Sequence, residues 1–163
     1  MITTETIFRH YGADKFDPNK VKPIKNRKEW NKPSGGFWAS LASQYSNSWY
    51  DWCKHEDFET EKLKSHFDFK LKEKSRILEI NNANDEMVLK DFLRKKFPSF
   101  LYMSNENKPG LDFENNIVDW DKLSERYDAV WIRGGSDYVL YQDFYGWDCD
   151  SIVIFRANIV EEI

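Results

Sequence analysis

Apolar and polar residues alternate in short runs along this chain, and only a few stretches carry the longer helical period. Phe67-Asp68-Phe69-Lys70-Leu71 alternates with period two, the mark of a strand with one buried face. Five further runs read as strands: Thr6 to Tyr11, Phe37 to Ser40, Arg76 to Ile80, Ala129 to Ile132 and Ser151 to Phe155. Ile159-Val160 extends the last of them. Within Ser48–Phe58, Trp49, Trp52 and Cys53 fall at i, i+3, i+4 and predict one apolar helical face. Met87, Val88, Phe92 and Leu93 do the same within Asn84–Phe97, where Asn84 is placed to cap the helix and Pro98 to stop it. A third helix is expected over Trp120–Tyr127, capped by Asp119. The segment 13–33 is rich in Lys, Asn, Asp and Pro, lacks periodicity and reads as a long loop. Loops of that length in small domains are usually functional or mobile.

Strands dominate this order, and the helices do not fall regularly between them. A doubly wound parallel sheet is therefore disfavoured. The expectation is an α+β domain with two twisted, mainly antiparallel sheets forming a cleft, and two or three short helices. The 163 residues suit a single domain over 1–163. A chain of that length buries about two-thirds of its unfolded surface and needs no covalent staple.

Composition changes this picture in one respect. Only 40% of the residues are apolar, but seven Trp, eight Tyr and twelve Phe let a few large side chains fill the core or line a cleft. The net charge of −4 argues against tight, sequence-independent nucleic-acid binding, which rests on phosphate neutralisation. The charge is uneven. The early loop carries Lys15, Lys20, Lys22, Lys25, Arg27, Lys28 and Lys32 against Asp14, Asp17 and Glu29, whereas 137–150 holds Asp137, Asp143, Asp148 and Asp150 with no Lys or Arg. These two stretches either face one another across a site or are solvated surfaces. Cys53 and Cys149 are too few to form a disulfide framework. The first six residues are polar and no run approaches 18 apolar residues. No signal peptide or membrane span is expected, and a reducing cytoplasm is the expected location.

Three short constellations carry the candidate chemistry. Arg9-His10-Tyr11 ends the first strand, where a neutral imidazole suits a ribose hydroxyl or simply bonds backbone. Gly35-Gly36-Phe37-Trp38-Ala39-Ser40 joins a flexible turn to two aromatics. Trp38 and Gly36 share a face, which leaves open space beside the indole, and the same run also suits a plain core strand. Tyr145-Gly146-Trp147-Asp148-Cys149-Asp150-Ser151 leads into the last strand. Asp148 and Asp150 share a face if that strand begins early. They would then stabilise an oxocarbenium-like centre, or else act as turn formers. No paired zinc spacing, phosphate loop, nucleophile elbow or dinucleotide fingerprint is present, and no metal site is expected.

Taken in order, these constellations resemble the ADP-ribosyltransferases, both the mono-ADP-ribosyltransferase toxins and the poly(ADP-ribose) polymerases. The likeness covers about a fifth of the chain. Phe8 to Gly12 looks like the family's first motif, Gly35 to Ser40 its second, and Tyr145 to Phe155 stands in the place of its third. The resemblance implies NAD as substrate, held in the cleft. His10 would hold the adenosine-side ribose, and Tyr11-Gly12 backbone the nicotinamide amide. Phe37 or Trp38 would stack on the nicotinamide ring, and Asp148 or Asp150 would engage the nicotinamide ribose. Basic residues of the 13–33 loop would meet the diphosphate. A second mapping uses Arg9 and Ser40 as the Arg-Ser-Glu branch does, with Asp148-Cys149-Asp150 in place of its Glu-x-Glu. The chain departs from the family in having Tyr11 where Gly follows the His, and Asp where Glu is usual. The expected acceptor is a macromolecule, most simply a protein, and a compact chain of this kind fits a phage anti-defence factor or a toxin-like effector. The competing expectation is a non-catalytic module that binds or inhibits a partner through its aromatic surface.

Overall fold

The computed structural model describes residues 1–27, 31–43, 46–85, 101–103 and 116–163. The described residues form a mixed α/β structure built on a curled, mainly antiparallel sheet. Its strands are β1 (Phe8–Tyr11), β2 (Lys22–Lys25), β3 (Ser34–Leu41), β4 (His66–Leu71), β5 (Ile77–Ile80), β8 (Ala129–Arg133), β9 (Asp150–Ile154) and β10 (Val160–Glu162). They lie in the order β10-β4-β1-β3-β9-β8-β5, with β2 added beside β3. A separate antiparallel pair joins β6 (Leu101–Met103) to β7 (Asn116–Val118). In place of two expected sheets facing each other, the described strands give one eight-stranded sheet and this small pair. Among the described pairs only β5 and β8 run parallel.

Period-two alternation sorts the core onto two sides of the sheet. Phe8, Phe37, Phe69, Trp131, Ile152 and Ile154 pack on one side. Val130, Ile132 and Val153 pack on the other with Trp120, Leu123, Leu140, Phe144 and Trp147. Phe37 and Trp38 therefore bury opposite faces of β3.

The helices are short. α1 (Trp49–Glu56) starts at Ser48, whose hydroxyl accepts from Asp51 N while the Asp51 carboxylate accepts from Ser48 N. Such a box stabilises a helix start by about 1 kcal/mol. α2 (Trp120–Arg126) is capped by Asp119 as expected. Residues 83–85 are helical, and the rest of the helix expected over Asn84–Phe97 lies outside the described residues.

Two elements depart from the sequence pattern. β2 lies inside the expected loop because Ile24, the one buried residue of Lys22–Lys25, docks into the core beside β3. Pro23 is tolerated because β2 is an edge strand. α3 (Tyr138–Asp143) buries only Leu140, too little to print a helical period. Asp137 starts it by accepting from Val139 N and Leu140 N.

Candidate functional site

The site begins where two strands part. β1 stays paired to β4 through all four residues, from Phe8↔Phe69 to Tyr11↔His66. It pairs with β3 only at Phe8↔Leu41 and Arg9↔Ser40. Beyond Arg9 the ladder opens, and β2 takes up β3 again at Gly36 and Ser34. A cavity of about 620 Å³ occupies this fork. Strand alternation puts His10 on the Phe37 side and Trp38 on the other. Both nonetheless line the cavity, because it opens in the gap between the strands.

His10 bridges that gap. Its Nδ1 lies 2.7 Å from the Trp38 carbonyl oxygen. A carbonyl only accepts, so Nδ1 carries the proton and Nε2 is left as an acceptor. Burial pushes the His10 pKa below the ordinary histidine value, against the opposing pull of the Trp38 carbonyl. The ring packs on Phe37 at 4.3 Å between centroids.

The glycine pair builds the opposite wall. Gly35 and Gly36 have φ of 84° and 67°, in the region that favours glycine. A Cβ on Gly35 would stand 2.0 Å from the Pro23 carbonyl oxygen, and one on Gly36 would stand 2.4 Å from Val153 Cγ2. The pair lies within β3 and not in the expected turn, and it lets β2 and β9 approach β3 closely. It does not leave open space beside Trp38, since Val153 and Ile24 fill that position. Trp38 donates from Nε1 to the Gly35 carbonyl at 2.9 Å and meets Trp147 edge-on at 4.7 Å. Lys32 Nζ sits over its ring, 4.8 Å from the centroid. Phe37 is enclosed by His10, Phe16, Phe67 and Phe69. Neither aromatic has the bare face expected for stacking.

The remaining expected residues divide. Asp148 is half-buried and lines the fork, and no hydrogen-bond donor reaches its carboxylate among the described residues. Asp150 does not join it. β9 starts at Asp150 rather than earlier, so the two aspartates do not share a strand face. Asp150 Oδ1 accepts from Gly135 N at 3.0 Å and Ser136 N at 2.9 Å, Oδ2 accepts from the Ser136 hydroxyl, and Arg133 Nε lies at 3.7 Å. It lines a different cavity, of about 670 Å³, with Arg133 and Ser136. Arg9 is committed to Asp68 through two bonds of 2.7 and 2.8 Å, and that carboxylate raises the guanidinium pKa above its usual value. Tyr11 lines the fork beside it, its phenol pKa raised by burial while Arg9 pulls it down. Ser40 is buried and accepts from Trp49 N at 3.0 Å, anchoring α1. Gly12 N donates to the Ser65 carbonyl at 2.9 Å, so that N–H is not open to an amide ligand.

Charge separates the fork from the rest of the surface. Six basic side chains line it (Arg9, Lys15, Lys20, Arg27, Lys32 and Lys62) against Asp17, Glu59 and Asp148. In an acidic chain this bias suits an anionic ligand. The basic loop and the acidic segment do meet. Asn31 Nδ2 donates to the Asp143 carbonyl, Trp147 Nε1 to the Asn31 carbonyl, and Lys32 Nζ to the Gly146 carbonyl.

Lys32, expected only as one of the basic loop residues, Trp49, expected only on a helical face, and Cys149, expected only between the two aspartates, also line the fork. Lys32 stands three residues before Gly35, and a lysine leading into the glycine pair beside aromatics was a usable signal. Cys149 is buried, and burial pushes its thiol pKa up to about 12 despite the Ser40 hydroxyl, so it stays a thiol. Among the described residues no group of three or more metal-type side chains converges, and no helix is long and apolar enough to cross a membrane. Comparison with known protein families, characterised proteins and solved structures finds no match for this chain.

Proposed function

We propose that the protein binds NAD in the fork cavity and transfers its ADP-ribose to an acceptor, releasing nicotinamide. The observation that carries this reading is the convergence of His10, Trp38 and Asp148, from three distant segments, on one cavity of about 620 Å³ with a basic lining. That volume lies within the range of small-molecule sites. The fork between β1 and β3 plays the part of the cleft between two sheets. His10 Nε2 accepts a ribose hydroxyl, and Lys15, Lys20 and Arg27 supply positive charge for the diphosphate. The bond between C1′ and the nicotinamide nitrogen breaks, and its electron pair leaves with nicotinamide. Asp148 stabilises the positive charge that grows on the ribose. A nucleophilic atom of the acceptor then bonds C1′ and gives up its proton. Of the two family mappings, His10 with Asp148 is favoured over Arg9 with Ser40, because the latter pair is occupied by Asp68 and by the start of α1.

The test is nicotinamide release and label transfer from labelled NAD in a cell lysate. His10→Ala and Asp148→Asn are each expected to lower the rate by about 100-fold. A folded protein that shows no NAD binding by calorimetry sinks the reading. The second reading, a non-catalytic module that binds or inhibits a partner, is favoured by the exposure of Tyr138 (78%) and Tyr145 (56%). It predicts partner capture that survives Asp148→Asn and needs no NAD.

A further inference from the structure

Trp38 carries a cation on its face before any ligand enters. Lys32 Nζ lies 4.8 Å from the indole centroid and donates to the Gly146 carbonyl oxygen. Asp148, two residues beyond Gly146, pulls the ammonium toward its charged form, against burial that lowers its pKa below the usual lysine range. An aromatic face, a carbonyl oxygen and a carboxylate together are what a cation needs on leaving water. Lysine is a costly residue to place there, because a compact ammonium is strongly hydrated.

We infer that the Trp38 face, the Gly146 carbonyl and Asp148 form a subsite for a cationic aromatic ring, and that Lys32 is its internal occupant, displaced when the ligand binds. The chemistry of the subsite stands on the two Lys32 contacts and on Asp148 lining the same cavity as Lys32 and Trp38. The ligand's identity rests on the NAD reading above, since the nicotinamide ring of NAD is an N-alkylated pyridinium. Two cations do not share one face, so the ring and the ammonium compete. Lys32 is thereby an autoinhibitory contact: it holds the pocket closed against weak cations and yields on its flexible stem to a ring that also satisfies the rest of the fork. The opposite assignment makes Lys32 a phosphate ligand like its neighbours in the loop. The two differ in sign, because removing a competitor tightens binding and removing a ligand weakens it.

The experiment titrates NAD and N-methylpyridinium into the wild-type chain, Lys32→Met and Lys32→Gln. Binding is read by calorimetry and by the Trp38 indole N–H resonance, assigned with Trp38→Phe. Lys32→Gln keeps a donor for the Gly146 carbonyl without the charge, and thermal unfolding checks that both variants fold. Both ligands are expected to bind the variants about three- to thirty-fold more tightly than wild type, the span of an exposed to a desolvated cation–π contact. If N-methylpyridinium tightens while NAD binds none of the three proteins, the subsite stands and the NAD reading falls. Unchanged N-methylpyridinium binding, or weaker NAD binding in both folded variants, overturns the inference.

Discussion

Asp148 and Asp150 stand two residues apart, yet they belong to different cavities and are held in opposite ways. Asp150 opens β9, and its carboxylate is taken up by two backbone N–H groups and a hydroxyl of the turn after β8. Asp148 lies before the strand, in the fork that Lys32 also lines, where its charge favours the Lys32 ammonium and no hydrogen-bond donor reaches it among the described residues. The cavity beside Asp150 is of similar size, at about 670 Å³. Its polar walls are spent on one another, however. Asn47 Nδ2 donates to the Ser136 hydroxyl, and Trp131 Nε1 donates to the Asn81 carbonyl oxygen. Cavity size alone therefore does not mark the site. What sets the fork apart is its basic lining and the Asp148 carboxylate, which accepts no hydrogen bond among the described residues.

The largest expected effect breaks this comparison if it fails. Asp148→Asn keeps size and removes charge, and is expected to cut nicotinamide release about 100-fold or more. Asp150→Asn is expected to leave the rate within a few-fold, because its carboxylate faces the other cavity. Equal losses in the two variants, with both proteins folded, would mean that the fork does not act alone.

Stability sharpens the same contrast. The fork rests on Gly36. Gly36→Ala forces a residue with φ of 67° and a Cβ 2.4 Å from Val153 Cγ2. Strain and overpacking together are expected to cost about 2–4 kcal/mol in denaturant unfolding. The other cavity rests on the Asp150 clamp. Asp150→Ala leaves the Gly135 N–H without its acceptor, while Ser136 N keeps a 3.2 Å bond to the Arg133 carbonyl, and is expected to cost about 1–3 kcal/mol. Asp148→Ala, which removes no hydrogen bond among the described residues, is expected to change stability by less than about 0.5 kcal/mol. A larger loss would show Asp148 to be structural.

The sheet was legible in the sequence to the extent that alternation was. β4, β8 and β9 each carry several buried residues, β5 buries Ile80 and half-buries its other three, and the expected bounds of all four lie within one residue of those found. β2 and α3 bury one residue each, so neither prints a period. The fork was not legible, because a pattern along one strand does not say where its neighbour leaves it. The three motifs each contribute a residue to one cavity, His10, Trp38 and Asp148. The condition for Asp150 to share a face with Asp148 was a strand that begins two residues sooner, and β9 begins at Asp150. Trp38 was read as an open platform because sequence shows which residues are aromatic and not which cation lies over them.

The smallest expected effect is one of pH, and the two cavities should give opposite signs. Burial lowers the His10 pKa in the folded chain relative to about 6.5 unfolded. The unfolded chain then binds the proton more readily, so stability is present above the unfolded value and is lost as pH falls through the depressed folded one. Protonation also turns Nε2 from acceptor to donor and adds a positive charge to a cavity that Lys32 also lines, so NAD binding should weaken a few-fold between about pH 7.5 and 5.5. Asp150 is raised by burial, against the pull of Ser136 and Arg133. Its contribution is full below the unfolded carboxylate value and is lost as pH rises through the folded one. Chemical denaturation across this range should therefore show a His10 slope of at most about 1.4 kcal/mol per pH unit. That slope should vanish in His10→Gln and persist in Asp150→Asn, whereas the acid-limb slope should vanish only in Asp150→Asn. If wild type and His10→Gln lose stability in parallel below pH 6.5, the imidazole is not held neutral at the fork. It could not then serve as the acceptor for a ribose hydroxyl.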